Sequence, residues 1–347
     1  MTQTIDKTGF KPKNIVKKLL TGLPERSRVV LEARFGLGTS PDRVTLEAIG
    51  QRYGITRERV RQIENHALAS LKKLPAYVEA ETAFEELERV IDTLGGIVTE
   101  HDLLNFITKE QSMQNHIHFL LVLGDPFKYR KEDDDMHRSW FLDHELADKV
   151  EGALKTLYTN LSDEDLIPEG EMVDRFLKEL ETINNKYQNE EVLKRWLSIS
   201  KSIGKNPLGE WGHAASPNVK TKGVRDYAYL AVKKHGSPLH FREVAELIEK
   251  MFSRVAHVAT THNELIKDDR FVLVGRGMYA LKEWGYTSGV VRDVIREILR
   301  KHGALTKDEI IEKVLKERHV KPGTIVVNLQ NQKYFKRSKE GKFSLVK

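Results

Sequence analysis

Thr45-Leu46-Glu47-Ala48-Ile49-Gly50-Gln51-Arg52-Tyr53-Gly54-Ile55-Thr56-Arg57-Glu58-Arg59-Val60-Arg61-Gln62-Ile63-Glu64 is the stretch that decides how this 347-residue chain is read. Leu46 and Ile49 turn inward from a short first helix. Gly54 supplies a tight turn, and Ile55 plugs the angle between two helices. Thr56 is placed to cap the second helix by accepting from an amide of its first turn. In that second helix the 3.6-residue period puts Val60, Ile63, Ala67, Leu68 and Leu71 on the packed side. Arg57, Glu58, Arg61, Gln62 and Asn65 fall on the other side. Residues 45–74 therefore read as a helix-turn-helix. A row of guanidinium, carboxylate and amide groups at the start of the second helix suits base edges. Arg spans both guanine acceptors, Glu accepts from cytosine and Gln pairs with adenine. Arg59, Lys72 and Lys73 stand where phosphates would lie, which positions a duplex without specifying it. The plain structural alternative is a surface stitched by ion pairs one turn apart.

Just upstream runs Leu23-Pro24-Glu25-Arg26-Ser27-Arg28-Val29-Val30-Leu31-Glu32-Ala33-Arg34-Phe35-Gly36-Leu37. Pro24 suits a first helical turn, Val30, Leu31 and Phe35 are core candidates, and Gly36 is a stop. With these residues, 23–74 closely resembles region four of the primary sigma factors of bacterial RNA polymerase. Leu23-Pro24-Glu25-Arg26, Arg34-Phe35-Gly36-Leu37, Thr45-Leu46-Glu47 and Thr56 to Glu64 carry the resemblance. It implies that Arg57, Glu58 and Gln62 read a −35 promoter element, with Arg61 close to the DNA. It also implies contact with the flap of the polymerase β subunit. Region four closes a sigma factor, whereas here it opens the chain. No upstream segment offers the aromatic-rich helix that melts the −10 element, so autonomous promoter opening is not expected.

Charge is segregated along the chain. The net charge is +6, but residues 1–77 carry 15 Lys/Arg against 7 Asp/Glu, a balance of +8. Residues 78–215 balance at −14 and residues 216–347 at +12. Basic ends suit phosphate backbones, and an acidic middle is repelled by them. There is no Cys, which excludes disulfides and thiolate zinc sites and fits a reducing cytoplasm. No apolar run is long enough for a signal peptide or a membrane span, so a cytoplasmic location is expected.

Three segments share a pattern of helix, small turn and second helix: Leu94 to Leu104, Lys234 to Val244, and Lys301 to Ile311. In each, Gly ends one helix and a Thr or Pro sits near the start of the next. Each is followed by a hairpin pattern. Phe127 to Arg130 with Ser139 to Leu142, Phe271 to Leu281 around Gly275-Arg276-Gly277, and Tyr334 to Leu345 form the set. Three helices closed by a β-hairpin make a winged helix. A poorer copy is expected over Val150 to Ser216, and Asn206 to Gly223 reads as a linker.

The fold class is therefore mainly α, an N-terminal helix-turn-helix followed by several winged-helix repeats. The expected domains are 1–77, sigma region four-like; 78–148, an acidic winged helix; 149–216, a degenerate repeat and linker; 217–286; and 287–347, a basic winged helix. Residues 218–285, through Val224-Arg225-Asp226-Tyr227-Ala228-Tyr229-Leu230 and Pro238 to Ala245, resemble the HARE-type helix-turn-helix of the RNA polymerase delta subunit. The third helix of that unit is expected from about Ser253 to Lys267, exposing Thr261, His262 and Lys267. Arg276 is expected at the wing tip, within reach of DNA. The last unit offers Thr324, Asn328 and Lys333 on its third helix, and Lys336, Arg337, Lys339 and Lys342 on its wing.

Other chemistries are not supported. His257 with His262 and His116 with His118 lack Cys or carboxylate partners suited to a metal. Gly275-Arg276-Gly277 precedes no helix, and neither a P-loop nor a nucleophile elbow occurs. Glu132-Asp133-Asp134-Asp135 reads as a solvated loop. No catalytic residue, cofactor, metal, membrane or small-molecule substrate is expected. The partners expected are double-stranded promoter DNA and the RNA polymerase core. A polymerase accessory protein without sequence-specific binding, or the recognition arm of a restriction or repair system, are the alternatives.

Overall fold

The computed structural model describes residues 9–180, 183–286, 289–338 and 340–346. Its chain folds into two compact units. One holds residues up to Gly204 together with Trp211–Ala214, and the other holds Lys205–Glu210 and everything from Ala215 on.

The first unit opens with four helices, α1 (Pro12–Thr21), α2 (Glu25–Phe35), α3 (Leu46–Tyr53) and α4 (Arg57–Leu71). A short α5 (Pro75–Val78) leads to α6 (Glu81–Thr93). Strand β1 (Ile97–Thr99), α7 (Glu100–Ile107), α8 (Gln111–Leu123), β2 (Lys128–Arg130) and β3 (Ser139–Phe141) follow. The sheet order is β1-β3-β2, so the strand between the first two helices pairs with the last strand of the hairpin. That is a winged-helix topology. It recurs in α9 (His144–Thr159), α10 (Glu169–Glu179), α11 (Glu190–Leu197), β4 (Ile203–Lys205) and β5 (Trp211–His213), where a bridge from Ile167 to Trp211 stands in for the first strand.

Two cores meet across the first sheet. Val98 and Trp140 belong to a cluster with Leu19, Leu31, Phe35, Leu71, Leu87 and Phe119. Their neighbours Ile97 and Phe141 belong to a second cluster with Leu154, Phe176 and Trp196. Side chains alternate along a strand, so β1 and β3 feed both cores and are buried throughout. A 60-residue unit buries little apolar surface alone. Here the helix-turn-helix and the acidic winged helix share one core, and the second winged helix shares the sheet.

The second unit repeats the topology twice. First come α12 (Val224–His235), β6 (Leu239–His240), α13 (Phe241–Phe252), α14 (Val258–Lys267), β7 (Phe271–Leu273) and β8 (Met278–Leu281), with sheet order β6-β8-β7. Then come α15 (Val291–His302), α16 (Lys307–Glu317), α17 (Pro322–Leu329), β9 (Phe335–Arg337) and β10 (Phe343–Leu345). A bridge from Leu305 to Phe343 supplies the strand equivalent. Thr306 caps α16 in a capping box with Glu309.

One expected element boundary needs correcting. The third helix of residues 217–286 starts at Val258, because Ser253 takes a left-handed conformation (φ 51°) that ends α13. Residues 206–223, read as a linker, are held by side-chain hydrogen bonds. Asn206 accepts from the Leu208 and Glu210 amides at 2.9 and 3.0 Å, and Asn218 Oδ1 accepts from Arg270 at 2.9 Å. The same Arg270 donates to buried Asp226 at 3.0 Å. The acidic run 132–135 is an exposed loop, as expected, in which Asp133 accepts from the Asp135 and Met136 amides and Glu132 pairs with Arg138 and Lys201. Among the described residues no helix is long and apolar enough to cross a membrane.

Candidate nucleic-acid interface

The helix-turn-helix is set by local chemistry. Thr45 Oγ1 accepts from the Ala48 amide and starts α3, and Thr56 Oγ1 accepts from the Arg59 amide and starts α4, each at 3.2 Å. Gly54 ends α3 with φ 64°. At Gly50 a Cβ would stand 2.6 Å from the Ile55 carbonyl oxygen, so only glycine lets the turn close onto α3. Val30, Ile49 and Val60 form the small core beneath, with Ile55 and Ile63 packed against it.

Arg57, Glu58, Arg59, Arg61, Gln62 and Asn65 are all exposed on α4. They are not independent. Arg61 donates to both Glu58 carboxylate oxygens, at 2.8 and 2.7 Å, and Arg59 donates to Gln62 Oε1 at 3.1 Å. The Arg61 hydrogen bonds hold the Glu58 carboxyl below its ordinary range. Ion pairing one turn apart thus occupies the face that the sequence marks for base edges, and exposed pairs of this kind cost little to break. On the inner side Arg34 lies 3.6 Å from Glu64, and burial pushes the Glu64 carboxyl up.

The flanking cations differ from one another. Lys73 is exposed. Lys72 is ion-paired with Asp125, just past the end of α8, and Asp125 also accepts from Tyr77 at 3.1 Å. Burial and the Asp125 carboxylate push the Tyr77 phenol up to about 12. Lys13 with Glu110, and Lys18 with Glu79, make two more pairs between α1 and the acidic segment that follows.

Sequence reading missed the supports of this head. Fully buried Asn115 on α8 donates to the Gly36 and Pro41 carbonyls at 3.1 and 2.7 Å, and accepts from Arg43 at 2.9 Å. It fixes the loop that enters α3. Phe35 packs edge-on against Phe119 of α8, centroids 5.1 Å apart. The apolar side of α1, α2 and α4 is therefore covered by α6 and α8. No local signal could have named Asn115, which lies 79 residues from Gly36.

In the C-terminal unit Arg276 is exposed on the β7–β8 turn, and His262 is stacked on Phe241 at 4.2 Å. Thr261 is fully buried and donates to the His257 carbonyl, contrary to expectation. Lys267 and Thr324 are exposed and Asn328 is half-buried, while Lys333 lies beyond the end of α17. Lys336 and Arg337 are exposed on β9 and Lys342 is exposed just before β10, while Lys339 lies outside the described residues.

With the geometry of α3 and α4 in place, the relatives can be compared. Residues 19–73 match the family model of sigma-70, region 4. The RNA polymerase principal sigma factors HrdD of Streptomyces viridifaciens and Streptomyces coelicolor are each 45% identical to this chain over 56 residues. HrdD of Streptomyces griseus is 41% identical over the same length. Each match covers 16% of this chain and 17% of the relative. The sigma-70 region 4 segment comprises the last part of α1, α2, the whole helix-turn-helix and the Lys72-Lys73 pair. Asn115 on α8 and Asp125 just beyond it, which hold this segment, lie outside the matched residues.

Proposed function

We propose that this protein acts in transcription initiation by binding duplex DNA through its region 4 segment, with a −35-like promoter element as the site read by α4. The observation that carries the reading is the exposure of Arg57, Glu58, Arg61, Gln62 and Asn65 on a capped helix whose opposite face is packed. Under this reading Arg57, Glu58, Gln62 and Asn65 meet base edges, with Arg61 alongside. Arg59 and Lys73 meet phosphates, and Lys72 joins them when its pair with Asp125 opens. The protein is a binding protein, not an enzyme, and works in the cytoplasm.

RNA polymerase is the proposed protein partner. A polymerase segment, the β flap included, would have to meet the solvent side of α1–α4 or displace α8, because the apolar side is occupied within the chain. Residues 218–285 are proposed to be a HARE-type winged helix within the same machinery.

In vitro selection of duplexes bound by the full chain, with and without core polymerase, tests the proposal. A −35-like consensus is the expected result. A pool that stays random in both arms, with polymerase still captured, would replace it with the accessory-protein reading.

A further inference from the structure

The turn between β7 and β8 does not end in solvent. The His319 amide donates to the Val274 carbonyl at 2.9 Å, and Gly275 bridges His319 in parallel. A Cβ at position 275 would stand 2.6 Å from the His319 carbonyl oxygen, so this approach needs glycine. Arg318, 3% exposed, closes the junction by donating to the Leu273 carbonyl and, at 2.8 Å, to the Gly289 carbonyl. The two C-terminal winged helices are thereby joined, the wing of one to the segment that leads into the third helix of the other.

Between them lies a cleft of about 680 Å³. Its lining includes Arg276, Arg318, His319, Lys321 and Thr324, and no described residue of the lining is Asp or Glu. Arg276 and Lys321 are exposed and have no ion-pair partner among the described residues. That differs from α4, where Glu58 neutralises Arg61. A cleft floored by a buried guanidinium and rimmed by unpaired cations is an anion site.

We propose that this cleft is a second duplex-DNA site, one that grips the phosphodiester backbone and does not read bases. The lining has no Asn, Gln or carboxylate for adenine or cytosine edges, and its exposed cations, Arg276 and Lys321, suit phosphates, which position a duplex without specifying it. The same winged helix carries exposed Lys336 and Arg337, and residues 216–347 hold a charge of +12. A polyanion of duplex length uses cations spread over a whole unit, whereas an acidic peptide seated in the cleft would not need those on β9. The proposal does not depend on what α4 reads.

The test uses the full chain and a random-sequence duplex, with log K followed against log salt. Arg276→Gln with Lys321→Gln should lower the slope by about 0.9 for each phosphate no longer neutralised, about 2 in all. Arg276→Lys with Lys321→Arg should restore it and show that the effect is one of charge. An unchanged slope in the Gln double variant would overturn the proposal. Loss of polyglutamate binding in that variant, with the slope unchanged, would then assign the cleft to an acidic peptide.

Discussion

At the scale of single residues, the helix-turn-helix is held by partners far away in sequence, and these set its availability. Lys72 is the clearest case. Its ammonium is paired with Asp125, so a phosphate at Lys72 has to displace a carboxylate already there. Asp125→Asn should leave the fold intact, strengthen binding to non-specific duplex at low salt and steepen the salt dependence by one further neutralised phosphate, roughly 0.9 in slope. A slope equal to wild type would remove Lys72 from the interface. Asn115 works on the other side of the head. Replacing it by Ala leaves the Gly36 and Pro41 carbonyls without their donor, at a cost of about 1–3 kcal/mol. Denaturant titration should show that destabilisation, and hydrogen exchange should place it in the loop before α3.

At the scale of elements, most helices were legible and the cross-chain supports were not. Helices announce themselves through caps and 3.6-residue spacing, which are local, and Thr56 and Thr306 cap where the sequence places them. The exposed face of α4 follows from the same periodicity. The errors lie where distant partners decide. Arg270, 52 residues from Asn218, ties down the segment that Pro and Gly mark as a linker. Thr261 reads as exposed from its polarity, yet it stands one turn before buried Leu265, on the packed face of α14. Nothing local tells that β1 and β3 are covered on both faces. The turn of the reading head makes a testable point. Gly50→Ala puts a methyl against the Ile55 carbonyl, and overpacking of this kind costs about 1–3 kcal/mol. A fall in melting temperature with weaker duplex binding is expected, and a variant as stable as wild type would show that the turn can relax.

At the scale of the molecule, the acidic middle serves the basic head as scaffold. Glu100, between the sheet and α7, is the charged group at the centre of that arrangement. Burial pushes its carboxyl up, but His118 at 3.0 Å, the Trp140 N–H at 3.1 Å and Arg43 outweigh burial and leave it below its ordinary value of 4.5. A depressed carboxylate stabilises the folded state above its unfolded pKa and loses that contribution as pH falls through the folded one. Unfolding of the first unit should therefore become easier below about pH 4.5, and Glu100→Gln should flatten that part of the profile. An unchanged acid limb would contradict the assignment. Charge segregation acquires a spatial meaning here, since ion pairs and one shared core join the basic region 4 segment to the acidic winged helix, while the polar face of α4 stays exposed. The most direct test of that open face is the affinity of wild type and Arg57→Ala for a −35-like duplex and its single-base variants at one salt concentration. Wild type should discriminate by about 1–3 kcal/mol at the base Arg57 meets, and Arg57→Ala should bind all variants at that position alike. Equal binding of every duplex by the wild-type chain would contradict the account.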